Sequence, residues 1–294
     1  MNMKLKLLYS TEIEGYPSGS AMEFYAYRIY MAGDDAKDLL VMNRKWKKRK
    51  SIPLLQSKAE RLPKKIKLDL EAMSLIQIAG QPHLLILGSG SAAPRNKAIL
   101  VNLKDNAVAM IDISPFYERL RNSGVPPLNI EGAATVHEHL VLANRGNKSQ
   151  PDNHLLITSA DFFNRQDTAP LQVMRVETPS AGESSRVSGL AYSAKHDCLL
   201  YTLSTEDTAN TTDDGPIGKS YLGKVDNFLQ KIGPEKTSLK FNELLDLSAA
   251  DEAFKGYKIE SVCIQSEKTH SMKIHLAADN DTGVSYLFKG RLKW

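Results

Sequence analysis

The sequence predicts an all-β chain folded as a β-propeller, and two observations carry this prediction. A short residue pattern, clearest at Leu70–Leu75, recurs five times along the 294-residue chain. Each copy is followed by a second apolar strand and then by a small polar loop. A propeller repeats one four-stranded blade of about 40–50 residues around an axis, so one copy of the pattern predicts one blade.

The repeated pattern carries small residues at two positions that share one face of a strand. We interpret each copy as the innermost strand of a blade, because innermost strands crowd around the axis and leave no room for large side chains. The first position holds Gly19, Ala72, Gly132, Gly189 and Ser261, and the second holds Ala21, Ser74, Ala134, Ala191 and Cys263.

Five four-stranded blades in one domain over residues 1–294 are therefore expected. The fifth copy is followed by strands at Lys273–Ala277 and Ser285–Leu292, one strand short of a blade. The alternating segment Lys4–Ser10 is predicted as the missing outermost strand, which closes the ring and protects its edges. Six blades, with a degenerate one in the long fourth interval, and a generic β-sandwich are the alternatives.

The other elements follow the same order of strand, turn and strand. Ser114 is predicted to cap a short helix at Pro115–Arg121, with proline in its first turn. A long polar loop is expected at Thr205–Lys219. The remaining predicted strands are Tyr27–Met31, Leu39–Asn43, Leu68–Ile78, Leu84–Leu87, Ile99–Leu103, Val108–Ile113, Ile130–Val136, Leu140–Ala143, Leu155–Thr158, Leu171–Val176, Val187–Ser193, Leu199–Leu203, Ser220–Asp226, Leu239–Leu247 and Ile259–Gln265.

A run of cations with one aromatic residue, Arg44–Lys50, follows the third strand of the first blade. Such a composition is found in nucleic-acid-binding patches. The whole chain carries a net charge of only +4, so we favour a solvated hairpin and outer edge strand, where lysine discourages edge pairing. No specific nucleic-acid partner is expected.

Composition points to a soluble globular protein. Hydrophobic residues make up 42% and charged residues 24% of the chain, which is ordinary for that class. No apolar run approaches the roughly 20 residues that span a bilayer, and no signal peptide is evident. We therefore expect a cytoplasmic monomer without a membrane partner. Cys198 and Cys263 lie in apolar strands, so no disulfide framework is expected.

Propeller topology brings two sequence-distant positions together at one end of the axis. The inner strand of each blade starts there, and the second strand ends there. We expect Glu71, Glu131 and Glu260 to ring this mouth, with Ser18 and Ser188 at the equivalent positions of the other two blades. Around them we expect Arg95, Arg145, Asn147, Glu206, Asp207, Asp34, Asp279 and Asp281.

Three carboxylates at one mouth repel one another unless something compensates their charge. Calcium, bound arginines or raised pKa values are the candidates. Alternatively, each glutamate accepts hydrogen bonds from the neighbouring blade and only staples the ring. The predicted ligand-binding residues are Glu71, Glu131, Glu260, Arg95, Arg145, Ser188 and Asp207.

The segments Leu84–Ser91 with Arg95, Asn129–Gly132, Asn144–Asn147 and Thr212–Gly215 carry a family resemblance. They resemble a bacterial propeller family known mainly as a domain of unknown function, distantly similar to the phytase-like esterase propellers. The resemblance covers nearly the whole chain. It implies a propeller with a polar mouth and supplies no reaction, since fold alone does not define function.

Two functions are compatible with this pattern. The first is a binding protein whose mouth holds a small anionic or peptide-like ligand. The second is a phytase-like or esterase-like hydrolase that uses the acids, with or without a divalent cation. The sequence shows no activated nucleophile, and His137 and His139 lack a metal-binding pattern. Binding is therefore favoured over hydrolysis.

Overall fold

The computed structural model describes residues 3–59, 61–125, 127–178, 185–206, 217–241, 243–279 and 283–294. These residues form five antiparallel blades arranged as a β-propeller, so the predicted fold and blade number are confirmed. Two short helices and four single 3₁₀ turns lie between strands. No helix in the described part of the chain is long and apolar enough to span a membrane.

The strands of the first three blades follow the chain order, after an N-terminal strand that joins the last blade. That N-terminal strand is β1 (Lys4–Ile13). Blade one contains β2 (Gly19–Tyr25), β3 (Arg28–Gly33), β4 (Asp38–Asn43) and β5 (Lys50–Pro53). Blade two contains β6 (Leu70–Ile78), β7 (Gln81–Gly88), β8 (Lys97–Asn102) and β9 (Val108–Asp112), and is followed by helix α1 (Ser114–Asn122). Blade three contains β10 (Ile130–Val136), β11 (His139–Asn144), β12 (Asn153–Ser159) and β13 (Gln172–Glu177).

The last two blades complete the ring. Blade four contains β14 (Ser185–Ser193), β15 (Cys198–Glu206) and β16 (Ile217–Asp226), with β18 (Glu243–Asp246) as its outer strand. A short strand, β17 (Ser238–Lys240), precedes β18, and helix α2 (Leu247–Ala250) follows it. Blade five contains β19 (Lys258–Lys268), β20 (Ser271–Asp279) and β21 (Ser285–Lys293). The inner strands β2, β6, β10, β14 and β19 each contact the inner strands of both neighbouring blades, so the ring is closed.

The N-terminal strand closes the ring as predicted. β1 pairs antiparallel with β21, from Lys4 opposite Lys293 to Ile13 opposite Ser285. Leu5 lies in the apolar core that blades four and five share. The last blade is therefore built from both ends of the described chain.

The outer edges of blades three and four differ from the prediction. Instead of one strand at Leu239–Leu247, β17 adds to blade three in parallel with β13, and β18 pairs with β16 of blade four. Leu239 and Phe241 are buried in the core between these two blades. Because these two side chains are buried between the blades, the chain first pairs with blade three through β17 and then returns to blade four as β18.

Helix α1 begins one residue earlier than predicted, and Ser114 does not cap it. The helix includes Ser114, whose backbone N–H and hydroxyl both donate to Asp112 Oδ1. Phe116, Tyr117 and Leu120 bury the inner face of the helix. The helix thereby covers the core between blades two and three.

Each inner strand begins with a β-bulge, in which one residue is left out of the pairing with the second strand. The bulged residues of blades two to five are Glu71, Glu131, Ser188 and Glu260. A bulge redirects the side chain of its extra residue and is common beside binding sites. The pattern identified in the sequence is therefore a bulge signature.

The predicted alignment of blade one is wrong by two residues. Its register shifts between Gly19 and Ala21, so Ser20 is the bulged residue and Ser18 is not. The second small position then holds Glu23 instead of Ala21. Ser18 and Ser20 are each followed by a small residue, so the sequence fits the repeated pattern in two registers. Only the pairing of β2 with β3 distinguishes them.

Small residues follow the bulge because neighbouring inner strands approach closely. A Cβ added at Gly132 would lie 3.0 Å from the backbone nitrogen of Leu190, on the next inner strand. At Gly189 it would lie 2.9 Å from the Cα of Ser261. Both distances are shorter than ordinary van der Waals contact, so larger residues would push the blades apart.

Candidate functional site

The bulged glutamates of blades two, three and five converge at one end of the ring, as the topology predicts. Burial raises the pKa of Glu71 well above its usual value, and the negative charges of Glu131, Asp69, Asp34 and Glu260 raise it further. Charges influence one another this strongly only at close range in a poorly solvated site. These five acids therefore form one cluster, which we call the mouth cluster.

Glu71 differs from the other acids because nothing in the described chain neutralises its carboxyl group. Within the described residues it makes neither a hydrogen bond nor an ion pair, and part of its surface stays exposed. One oxygen of Glu71, one of Asp34 and one of Asp69 lie within 4.8 Å of one another. A raised pKa favours the neutral form of Glu71, and a cationic group beside it would reverse that preference.

A lysine sits between the other two acids of this group. Lys67 Nζ lies 2.6 Å from Asp34 Oδ2 and 2.9 Å from Asp69 Oδ1. Burial lowers the pKa of Lys67, but the charges of Asp69 and Asp34 outweigh it and raise the pKa above its usual value. Burial also raises the pKa of Asp34, to about 6, although Lys67 opposes this. Lys67 therefore supplies the positive charge that partly balances Asp34 and Asp69.

Arg95 is directed at the same acid as Lys67. Its Nη1 lies 2.7 Å from Asp69 Oδ2, and Ser89 Oγ donates to that oxygen at 2.5 Å. Arg95 Nη1 also donates to Ser91 Oγ. Arg95 ends a 3₁₀ turn just before β8, so it precedes the third strand instead of starting it. Asp69 and Lys67 were not predicted as site residues. Their charges, just before the copy of the repeated pattern in blade two, are the sequence feature that could have identified them.

Both carboxylate oxygens of Glu131 have partners from the same blade. Asn129 Nδ2 donates to Glu131 Oε1 at 2.6 Å, and Arg145 Nη1 lies 3.3 Å from Oε2. Arg145 and Glu131 are both buried, with side chains 7% and 9% exposed. This pair links the start of β10 to the loop after β11, as expected from the topology.

Only one of the two carboxylate oxygens of Glu260 has a partner among the described residues. Lys258 Nζ lies 3.1 Å from Glu260 Oε1, whereas the buried Oε2 has no hydrogen-bond partner among the described residues. Burial raises the pKa of Glu260 to about 7, and the charge of Glu131 adds to this while Lys258 opposes it. A buried acceptor without a donor is costly, so Oε2 is a point where a ligand donor would be stabilising.

The two bulged serines tie neighbouring blades together. Ser20 Oγ donates to Leu70 O at 2.7 Å, and Ser188 Oγ donates to Ile259 O at 2.6 Å. In both cases the acceptor is the residue just before the bulge of the next blade. The stapling role considered for the glutamates is thus performed by serines, and a ligand contact for Ser188 stays a prediction.

A second arginine, not predicted from the sequence, lies beside Arg145. Arg186 is buried, and its guanidinium donates to Pro151 O at 3.1 Å and to Asn147 O at 2.9 Å. Burial and the positive charge of Arg145 lower the pKa of Arg186. No described carboxylate forms an ion pair with Arg186. Its position just before the copy of the repeated pattern in blade four is the sequence feature that could have identified Arg186 as a site residue.

The remaining predicted site residues have different outcomes. Asn147 Oδ1 accepts from Ser149 Oγ and Gln150 N and so shapes its own loop. The charge of Asp279 acts on Arg61, which pairs with Asp35. Asp207 and Asp281 lie outside the described residues, as does the side chain of Glu206.

No activated nucleophile is present in the described part of the chain. Both cysteines are free and buried, and burial raises the pKa of Cys198 to about 12 and that of Cys263 well above its usual value. Both thiols therefore stay protonated. Ser89 bonds to a carboxylate and to Ser91, without a histidine to accept its proton.

Comparisons with known proteins agree with the fold and supply no reaction. A model described as a family of unknown function (DUF6929) matches residues 15–292, which confirms the resemblance inferred from the sequence. No curated protein matches the chain. The crystal structure of Myxococcus xanthus glutaminyl cyclase is similar with a TM-score of 0.57 and 9% identity, over 99% of this chain and 97% of that one. The Myceliophthora Cps50 (Swd1) β-propeller domain has a TM-score of 0.41 and 14% identity, over 95% and 99% of the two chains. At 9% identity the likeness to the cyclase shows the fold alone.

Proposed function

Because this chain belongs to a family of unknown function (DUF6929), its activity has to be inferred from its own site, and we propose that the mouth binds a small peptide-like ligand. The ligand would carry a cationic amino group and an anionic carboxylate. The observation that carries the proposal is the unpaired, partly exposed carboxyl group of Glu71 within a cluster whose other acids have partners.

The acidic side of the mouth is suited to an amino group. Glu71 has no partner in the described chain, and Glu260 Oε2 lacks a donor. An ammonium group supplies three donors and a positive charge, so beside Glu71 it would donate to that carboxyl group and favour the ionised forms of both acids. Hydrogen bonds to charged groups contribute about 1.5–3 kcal/mol each.

The basic side of the mouth is suited to a carboxylate. Among the described residues, Arg186 donates to two backbone carbonyl oxygens and has no carboxylate partner, and it lies near enough to Arg145 for the two charges to repel. A ligand carboxylate between them would relieve that repulsion and accept charge-assisted hydrogen bonds. The mouth thus offers opposite charges on different blades, which is the pattern of a free amino acid or a short peptide.

The metal-dependent form of the hydrolase alternative requires a divalent cation, and the acids fit that ion poorly. Calcium takes six to eight oxygen ligands. Asp34 and Asp69 already share Lys67 Nζ at 2.6 and 2.9 Å, and Asp69 also holds Arg95. A metal held by Asp69 would compete with Lys67 and Arg95, which already occupy both of its carboxylate oxygens. The residues present are therefore a poor site for a divalent cation.

Isothermal titration calorimetry with free dipeptides tests the proposal. The same dipeptides with an acetylated amino end or an amidated carboxyl end serve as probes. We expect each modification to weaken binding about tenfold or more, in line with the loss of one charge-assisted contact. Glu71→Gln should remove the preference for a free amine, and Arg186→Gln the preference for a free carboxylate.

Glu138→Gln, at an exposed position outside the mouth cluster, is the matched control and should bind like the wild-type protein. Equal binding of free and modified dipeptides, or no binding at millimolar concentration, would contradict the proposal. Calcium-dependent cleavage of a phosphoester would favour the hydrolase instead.

A further inference from the structure

A dense set of cations lies in register across one face of blade five. Directly opposed residues of antiparallel strands share a face, so each row below lies on one side of the sheet. The first row contains Lys268, Ser271, Lys293 and Lys4, and the second contains Ser266, Lys273, Arg291 and Lys6. Neither row contains an acidic residue. Alternate residues on a strand lie about 7 Å apart and neighbouring strands about 5 Å apart, so the two rows form a compact positive surface.

The connection between β4 and β5 of blade one packs against the next row of the same face. That row contains Tyr9, Lys289 and His275. Trp46 stacks on Tyr9 with ring centroids 5.1 Å apart, and its Nε1 donates to His275 Nδ1 at 3.0 Å. Lys289 Nζ donates to Arg44 O at 3.0 Å. The cations Arg44, Lys45, Lys47 and Lys48 of this connection are thereby held beside those of blade five, whereas Arg49 donates to Glu14 O, just past the other end of β1.

This combined surface, which we call the basic face, is not neutralised by the described protein. None of its lysines or arginines forms an ion pair with a described carboxylate. Burial lowers the pKa of Lys289, and the positive charges of Lys273, Arg44 and Lys45 lower it further. Cations that repel one another in a folded protein favour an anionic partner that relieves the repulsion.

We propose that the basic face binds single-stranded nucleic acid without sequence preference. Proteins of that kind combine a positive surface that follows the backbone with aromatic rings on which bases stack. Tyr27 is 74% exposed, with the Arg44 guanidinium 5.9 Å from its ring centroid, and Tyr9 is 56% exposed. Both rings lie beside cations at the boundary of blades one and five, and Tyr9 extends the stack that begins with Trp46.

The aromatic rings favour nucleic acid over the other polyanions. An acidic protein surface would need the cations and not the rings. An anionic lipid surface would favour apolar side chains at the protruding tip, whereas the tip of the β4–β5 connection carries Lys47 and Lys48. Phosphate contacts carry no sequence information, which agrees with the expectation that no specific nucleic acid is bound.

The basic face and the mouth are separate. Lys268 ends β19, whereas the bulged Glu260 lies at the start of that strand. The two surfaces therefore lie toward opposite ends of the inner strand of blade five. Binding of nucleic acid does not depend on the ligand proposed for the mouth.

Fluorescence anisotropy with a labelled, mixed-sequence DNA strand of about 16 nucleotides tests the proposal. We expect binding that weakens steeply between about 50 and 200 mM salt. The triple variant Lys6→Gln, Lys273→Gln and Arg291→Gln should bind at least about tenfold more weakly and lower the log–log salt slope by about 2. Tyr27→Ala should weaken binding roughly tenfold through lost stacking, with the salt slope unchanged.

The control triple variant Lys104→Gln, Lys236→Gln and Lys240→Gln makes the same change in net charge at exposed positions on other parts of the ring. It should bind like the wild-type protein, and a circular-dichroism melt should show that both triple variants are folded. Equal losses of affinity in the two triple variants would show that binding depends on net charge alone and would overturn the proposal. So would the absence of oligonucleotide binding at 50 mM salt, or binding to phosphatidylserine vesicles alone.

Discussion

Glu23 of blade one accepts a hydrogen bond from the backbone N–H of Leu75 in blade two, with Oε2 3.2 Å from the nitrogen. Its Oε1 also accepts from Phe24 N at 2.8 Å. The other four inner strands carry Ser74, Ala134, Ala191 and Cys263 at the equivalent position. Blade one therefore places a buried carboxyl group where its neighbours place small side chains, and uses it to hold blade two.

Glu23 should make stability depend on pH. Burial raises its pKa to about 7, while its two backbone hydrogen bonds oppose the shift. The folded state therefore binds the proton more tightly than the unfolded state, and stability is lost as pH rises through the window from about 4.5 to 7. Glutamine does not ionise, so between pH 4.5 and pH 8 we expect the stability of Glu23→Gln to rise relative to that of the wild-type protein by roughly 3 kcal/mol at most. Its side chain accepts only one of the two backbone hydrogen bonds, which adds a cost that does not depend on pH.

Urea unfolding at stepped pH measures this difference. Glu118→Gln, on the exposed face of α1, makes the same substitution outside the inner strands and is the matched control. A Glu23→Gln profile parallel to that of the wild-type protein would show that Glu23 does not titrate in this window.

Two glutamates of the mouth cluster should respond oppositely to the same substitution. Glu131→Gln removes the carboxylate that pairs with the buried Arg145 at 3.3 Å, and breaking a buried pair costs about 3–5 kcal/mol. Glu71→Gln removes a carboxyl group that has no partner in the described chain and whose pKa is raised, so stability at pH 8 should stay unchanged or rise. Denaturant unfolding of both variants at pH 8 measures the contrast. Similar losses in the two variants would mean that Glu71 is structural.

Ring closure should depend on one buried side chain of β1. Leu5 is 8% exposed and lies in the core between blades four and five, so Leu5→Ala should cost about 2–5 kcal/mol. Leu8 of the same strand is 39% exposed and lies at the bulge opposite β21, so Leu8→Ala should change stability by less than about 0.5 kcal/mol. Thermal melts compare the two. A small effect of Leu5→Ala would indicate that β1 contributes little to closure.

Much of the fold was predictable because it rests on local patterns. The small residues after Glu71, Glu131, Ser188 and Glu260 mark the inner strands, and the strand missing at the C-terminus indicated closure by β1. The pattern did not determine register in blade one, where Ser18 and Ser20 both precede small residues. It also did not predict the division of Leu239–Leu247 between two blades, which depends on the burial of Leu239 and Phe241.

The candidate site was predicted in outline from topology. The sequence placed Glu71, Glu131, Glu260, Arg95 and Arg145 at one mouth, because the starts of inner strands and the ends of second strands meet there. It gave each glutamate the same possible roles. In the structure Glu131 has a full set of partners, Glu260 has one unsatisfied oxygen, and Glu71 has no partner among the described residues. These differences depend on Asn129, Lys258 and Lys67, whose positions relative to the acids are set by the folded loops.

The sequence by itself predicted the propeller, with five blades favoured over six, its closure by β1 and the end of the axis that carries the acids. Each of these follows from strand periodicity and from a repeat short enough to be recognised in the chain. Only the tertiary structure decided which charges are neutralised and which are not. It brought cations from β1, β20 and β21 beside the Arg44–Lys50 run, and it gave Lys67 to Asp34 and Asp69 instead of Glu71. Charge compensation depends on distances of a few ångströms between groups far apart in the chain, and residue order does not specify these distances.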